Sequence, residues 1–339
     1  MQAVVFDGPF NIVVKERPKP VIIDPTDAIL KVEIAGICGS ELHMYRGHQE
    51  TTTGHIMGHE FVGVIESVGS GVQRFKVGQK VMSIFSPMCM QCWFCQHGYT
   101  NRCVNGIPFG TKLLDGGQSE YVRVPYADST LEFIPPEVPD EMMIIMCDIF
   151  PTGYYGAMKA TLEESVIVCL GCGPVGLCAV MTAVVLGVGT VYAVDSVEDR
   201  LEAAREMGAK TLKLGTDDIP AIIKSVTDGR GADAIVESVG NKSGMRLAVD
   251  LVRPCGVISS IGFHQSDLPY TGLEAYSKNL DINMGRAAVR PVFGESLKVF
   301  ADNLDKFSSF ITHRIPLSEA PKGYEVFEKH QARKVILLL

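Results

Sequence analysis

The sequence is short of several things, and each shortage excludes something. Among 339 residues there is one tryptophan, and the 31 lysines and arginines are outnumbered by 39 aspartates and glutamates, a formal net charge of -8. That balance gives no electrostatic footprint for nucleic acid, so no polyanionic partner is expected. Low-complexity tracts and internal repeats are missing, which excludes a solenoid or a collagen-like chain. Charged residues make up 21% and apolar residues 46%, the proportions of a folded globular chain and not of a disordered one. The opening Met1-Gln-Ala-Val-Val-Phe-Asp7 forms neither a basic leader nor an apolar core, and the closing Val335-Ile-Leu-Leu-Leu339 carries no targeting tripeptide or prenylation cysteine. A cytoplasmic location is therefore expected. At roughly 150 residues per domain, the length predicts about two domains.

One long stretch, Ser165 to Val194, has no charge, and hydropathy alone marks it as a membrane span. It also contains Gly171, Gly173, Pro174, Gly176, Gly187 and Gly189. Its apolar pattern changes from a continuous run to helical spacing and back, so strand, helix, strand is the better reading and no membrane partner is expected.

Ten cysteines are present, and four cluster as Cys89-x2-Cys92-x2-Cys95-x7-Cys103 in a segment that Pro87, Gly98 and Gly106 mark as loop. Four thiolates at these spacings can wrap one tetrahedral ion, and ligand type and context favour structural zinc. An iron–sulfur cluster uses similar spacing. Cys169 and Cys172 also form C-x-x-C, but Val166-Ile-Val-Cys169-Leu reads as a buried parallel strand and Cys172 falls in a glycine turn, so no redox pair is expected. Cys147, Cys178 and Cys255 read as small core residues.

Ser165-Val-Ile-Val-Cys-Leu170 runs into Gly171-Cys-Gly173-Pro174-Val175-Gly176, then a helical pattern, then Thr190-Val-Tyr-Ala-Val-Asp195. This is G-x-G-x-x-G in the strand–turn–helix setting that a dinucleotide needs. Gly171 permits the tight turn, Gly173 lets backbone N–H groups reach a pyrophosphate, and Gly176 lets the helix pack closely. Asp195, 19 residues after Gly176, can accept both ribose hydroxyls and repels a 2′-phosphate, which favours NAD over NADP. Arg200 is the candidate to flank the adenosine ribose. Later strands at Ala232–Gly240, Gly256–Gly262 and Leu280–Gly285 continue the alternation of a doubly wound parallel α/β sheet.

Residues 1–150 instead show short alternating strands, a mostly β pattern. They carry Cys38-Gly-Ser40-Glu-Leu-His43 and Gly58-His59-Glu60. A cysteine and a histidine supply two ligands of an open zinc site, which needs about one more.

Cys38-Gly-Ser-x-x-His43, Gly58-His-Glu60, the four-cysteine loop, Asp148-x3-Thr152-Gly153, the glycine turn, Thr312-His-Arg-Ile-Pro-Leu and Arg333-Lys-Val-Ile-Leu together resemble the medium-chain zinc-dependent alcohol dehydrogenases over essentially the whole chain. The resemblance implies a Rossmann domain at 152–285 and a split, GroES-like catalytic domain at 1–151 and 286–339. It implies a catalytic zinc held by Cys38, His59 and Asp148, with Cys147 as the competing third ligand and Glu60 as an outer or transient one. Ser40 is then expected to take the proton of the bound alcohol and pass it through the nicotinamide ribose to His43. Phe85 is expected to line the substrate pocket, Thr152 to touch the nicotinamide and Lys334 to reach the pyrophosphate. Serine at position 40, where many relatives carry threonine, suggests room for secondary or bulky alcohols. The short loop after Cys103 suggests a homotetramer, with a homodimer as the alternative. The rival readings are a polyol, amino-alcohol or glutathione-linked formaldehyde dehydrogenase, an NADPH-dependent reductase of C=C or C=N bonds, and a zinc- or NAD-binding protein without catalysis.

Overall fold

The ten-residue strand Ala28–Ile37 buries nearly all of its apolar residues and exposes Lys31, as a strand with neighbours on both edges should. It is the spine of a seven-stranded sheet. The order is Ile311–Pro316, Lys334–Leu338, Ala28–Ile37, Phe61–Val68, Lys80–Ser83, Leu131–Phe133, with Tyr121–Val124 also paired to Ala28–Ile37. All pairs are antiparallel except the first, which is parallel. Gln2–Phe6 and Ile12–Glu16 form a separate antiparallel hairpin. The core of this unit mixes aliphatic and aromatic side chains, with Phe61 set edge-on against Phe109 at 5.0 Å between ring centroids.

A second sheet of six parallel strands has the order Lys210–Lys213, Gly189–Asp195, Ser165–Leu170, Ala232–Glu237, Val252–Ser260, Asp281–Met284. The order reverses between Ser165–Leu170 and Ala232–Glu237, the place where doubly wound sheets bind ligands. The helix Lys242–Leu251 shows how the sequence builds this unit. Met245, Ala248, Val249 and Leu251 recur at helical spacing and are buried, and the Asn241 side chain accepts the Gly244 N–H at 2.8 Å to cap the first turn. The stretch that hydropathy marks as a membrane span is divided into Ser165–Leu170, the helix Pro174–Val185 and Gly189–Asp195. Among the described residues no helix is long and apolar enough to cross a membrane.

The computed structural model describes residues 1–160, 165–187 and 189–339. It groups the chain in two compact units, Met1–Asp148 with Val289–Pro291 and Ala301–Leu339, and Ile149–Ala288 with Val292–Phe300. These limits depart from the expected 1–151, 152–285 and 286–339 at both joints. The helix Ile149–Ala160 opens the second unit. Most of the helix Val289–Ala301 belongs with it, because Phe300 packs on Phe150 at 5.0 Å and Glu295 accepts the Tyr154 hydroxyl at 3.2 Å. Cys255 departs from its expected place in the core. It is exposed, in a left-handed conformation with φ 54° inside Val252–Ser260, and is not a core residue.

Candidate active site

Two groups of metal-ligating side chains converge among the described residues, each with its donor atoms within 4.8 Å of one another. The first is Cys89, Cys92, Cys95 and Cys103. The loop folds onto itself so that the Sγ atoms of Cys103 and Cys89 lie 3.5 Å apart and the Cys89 N–H donates to Cys103 Sγ at 3.3 Å. The backbone N–H groups of Cys95 and Val104 hold the Cys92 thiol down at about 6, which favours the thiolate that binds metal.

The second group is Cys38, His59, Glu60 and Asp148. Cys38 follows directly on the spine strand Ala28–Ile37, and His59 and Glu60 precede Phe61–Val68, its hydrogen-bonded neighbour. Asp148 caps the helix Asp140–Cys147. His59 Nε2 lies 3.3 Å from Asp148 Oδ2, Cys38 Sγ lies 3.8 Å from the same oxygen, and the Ser40 hydroxyl donates to Cys38 Sγ at 3.4 Å. Cys38, His59 and Glu60 are buried and Asp148 is partly so. One soft sulfur, one imidazole and carboxylate oxygens in so small a volume are the donor set of an open zinc site. The Cys147 thiol turns away, toward the carbonyls of Phe61 at 3.6 Å and Met143 at 3.5 Å. Burial raises its pKa far above the ordinary thiol range.

The electrostatics follow from this crowding. Burial, and next the nearby Glu60 carboxylate, push the Cys38 thiol up. Burial opposes charge on His59, but Cys38 together with the nearby Asp148 and Glu41 carboxylates outweighs it and the ring is held well above its usual 6.5. Glu60 is pushed up by burial, with Lys334 as the main opposing influence. Lys334 Nζ bonds to the Glu60 carboxylate and donates to the Ile37 carbonyl at 3.1 Å. Its side chain is 0% exposed. The structure thus places Lys334 against Glu60, next to the metal-ligating group.

His43 is half-buried, and burial, then Arg46 and His48, lower its pKa. Phe85 is partly exposed, with its N–H donating to the Cys147 carbonyl at 3.0 Å.

In the second unit Gly171 adopts φ 87°, Gly173 caps the helix Pro174–Val185 and Pro174 occupies its first turn. A Cβ on Gly176 would sit 1.9 Å from the Gly171 carbonyl oxygen, whereas one on Gly173 meets nothing within 4 Å. Only glycine closes the turn at the first position, and the second leaves open space beside the helix N-terminus. Asp195 ends its strand where its carboxylate accepts the N–H groups of Cys172 at 2.7 Å and Val197 at 2.9 Å. Arg200 Nη1 lies 3.6 Å from Asp195 Oδ2. Val175 lies in that helix's first turn, and Thr152 is carried by the helix Ile149–Ala160.

Residues 24–135 match the family model of the alcohol dehydrogenase GroES-like domain, and residues 174–308 that of zinc-binding dehydrogenases. The zinc-type alcohol dehydrogenase B of Aspergillus flavus is 42% identical over 345 residues, covering 99% of this chain and 81% of that protein. The chain belongs to the zinc-dependent medium-chain alcohol dehydrogenase family. A medium chain reductase/dehydrogenase, ucsI, of an Acremonium species is 45% identical over 286 residues, 81% of this chain and 98% of that one. Among solved structures, the alcohol dehydrogenase TADH of Thermus sp. ATN1 superposes with a TM-score of 0.94 at 34% identity, over 100% of this chain and 99% of that one.

In this alcohol dehydrogenase the structure also brings Gln118 and Tyr324, which no sequence motif marks, together with Glu41, which stands where many relatives carry aspartate. Glu41, Gln118 and Tyr324 form a buried cluster beside His59. Their local sequence settings are polar or glycine-rich, and their separation along the chain hides the cluster.

Proposed function

We propose that this chain oxidises secondary or bulky alcohols to ketones or aldehydes, reversibly, with NAD, using zinc held by Cys38, His59 and Asp148 and a structural zinc held by Cys89, Cys92, Cys95 and Cys103. The observation that carries the reading is the convergence of Cys38, His59 and Asp148 with the Ser40 hydroxyl 3.4 Å from Cys38 Sγ. When bound, zinc supplies Lewis acidity that makes an alcohol hydroxyl acidic near neutral pH, and NAD accepts the hydride.

The residues of the chain do the rest. Ser40 accepts the proton released by the alcohol and hands it on, and His43 delivers it to solvent. Its lowered pKa keeps the ring neutral, and so able to accept, near pH 7. Glu60, paired with Lys334, tunes the charge around the ligands from outside. Gly171, Gly173 and Gly176 shape the turn for a pyrophosphate, and Asp195 takes the adenosine ribose hydroxyls and disfavours a 2′-phosphate. Ser40 has one methyl group fewer than threonine, which supports a preference for a bulkier carbinol carbon. The protein acts as a homo-oligomer, a tetramer on the length of the loop after Cys103.

Steady-state kcat/KM for matched primary and secondary alcohols tests the substrate class. A higher value for the secondary alcohol is expected, and a strong primary preference overturns it. Light scattering tests the tetramer.

A further inference from the structure

The carboxylate of Glu41, in a residue 2% exposed, is held from several directions. Its Oε2 accepts the Cys38 backbone N–H at 3.2 Å, Gln118 Nε2 at 3.2 Å and the Tyr324 hydroxyl at 2.9 Å. Its Oε1 faces His59 Nδ1 at 3.4 Å, on the side of the ring away from Asp148. Gln118 is itself fixed. Its Nε2 also donates to the Gly36 carbonyl at 2.9 Å, and its Oε1 lies 2.9 Å from the Tyr324 hydroxyl. Gly58, immediately before His59, approaches so closely that a Cβ there would lie 2.5 Å from Gln118 Cγ. Gln118 and Tyr324 are both 0% exposed, and Tyr324 comes from the helix Ala320–Glu328, far along the chain from every metal ligand.

A histidine that holds a metal through one ring nitrogen is oriented by what its other nitrogen bonds to, and that partner needs to be held in turn. A glutamate has a flexible side chain that loses its freedom only against such contacts. We propose that Tyr324 and Gln118 are positioning residues of the metal centre: together they fix the Glu41 carboxylate, which aims His59 Nε2 at the space shared with Cys38 and Asp148. This rests on the reading of Cys38, His59 and Asp148 as a zinc site.

The test is the rate at which the full-length protein gives up zinc to a chromophoric chelator, with total zinc by elemental analysis. Tyr324→Phe removes the hydroxyl and keeps the ring that packs 5.6 Å from Tyr45. Zinc release from the Cys38 site is expected to be about tenfold faster, at the low end of the ten- to hundredfold range for loss of a ligand's partner. Release from the four-cysteine site stays unchanged. Gln118→Met gives the same pattern, and Tyr45→Phe, one ring further out, moves neither rate. In a Glu41→Gln background Tyr324→Phe adds little, because it acts through Glu41. In the cobalt-substituted protein the visible band shifts with Tyr324→Phe and not with Tyr45→Phe.

Two zinc ions in the wild type with unchanged release in Tyr324→Phe overturn the proposal, and so does faster release from both sites alike, which marks a general loss of stability. A wild type that holds zinc only at the four cysteines overturns the underlying metal-site reading instead.

Discussion

The pairing of Lys334 with Glu60 lends itself to a quantitative test. Both side chains are 0% exposed, and among the described residues Glu60 Oε1 has no hydrogen-bond partner, so the ammonium is the main group opposing the cost of burying that carboxylate. Lys334→Met keeps most of the volume and removes the charge. Taking one partner from a buried ion pair costs about 3–5 kcal/mol, because the other charge is left without compensation. The pH dependence gives the sign. Burial already holds the Glu60 carboxyl above its ordinary 4.5, and losing Lys334 lets it rise further. A carboxylate with a raised folded pKa binds more protons folded than unfolded, so its penalty is largest at neutral pH and shrinks as pH falls toward about 4.5. Urea midpoints measured at about pH 5 and about pH 7.5 should show the larger deficit at the higher pH. Adding Glu60→Gln to Lys334→Met should return most of the loss, since the buried charge is gone. An equal deficit at both pH values, or no recovery in the double variant, refutes the reasoning.

Three further outcomes are expected. Asp195→Ala removes the charge that excludes a 2′-phosphate, so the preference for NADH over NADPH in fluorescence titrations should fall about tenfold or more; an unchanged ratio contradicts the assignment. Gly176→Ala forces a methyl to within 1.9 Å of the Gly171 carbonyl oxygen, costing about 1–3 kcal/mol of stability and abolishing NADH binding while zinc content stays constant. His59, held above 6.5 in the metal-free chain, contributes stability there that is present below 6.5 and lost as pH rises through the raised value. Zinc displaces that proton, so affinity at the Cys38 site should climb steeply with pH from below 6.5 to above it. A flat profile in chelator competition contradicts this.

What the sequence made legible is what spacing encodes locally. Four cysteines within one loop, and Gly171, Gly173 and Gly176 between an apolar strand and a helix, can be read because each motif closes over a few residues. The uncharged Ser165 to Val194 stretch was interpretable for the same reason, since its glycines break the run into strand, helix and strand. The rest depends on long-range pairing. Lys334 meets Glu60 because Val335 pairs with Ile37, and no local pattern announces that register. Glu41, Gln118 and Tyr324 are ordinary polar residues one at a time, and become a device only when the short helix Glu41–Tyr45, a bend and a late helix converge. The joint near residue 289 has no local sequence mark, because the helix Val289–Ala301 divides between the units, with Phe300 buried on Phe150. Cys255 looked like a core residue by type, but the left-handed turn of its backbone leaves it exposed.

The most direct test of the central claim is zinc per subunit by elemental analysis, combined with NADH fluorescence titration, for the wild type, Asp148→Ala and Cys147→Ala. Two zinc ions in the wild type and in Cys147→Ala, one in Asp148→Ala, and NADH binding in all three are the predicted result. One zinc or none in the wild type, or a zinc lost with Cys147 and not with Asp148, would contradict it.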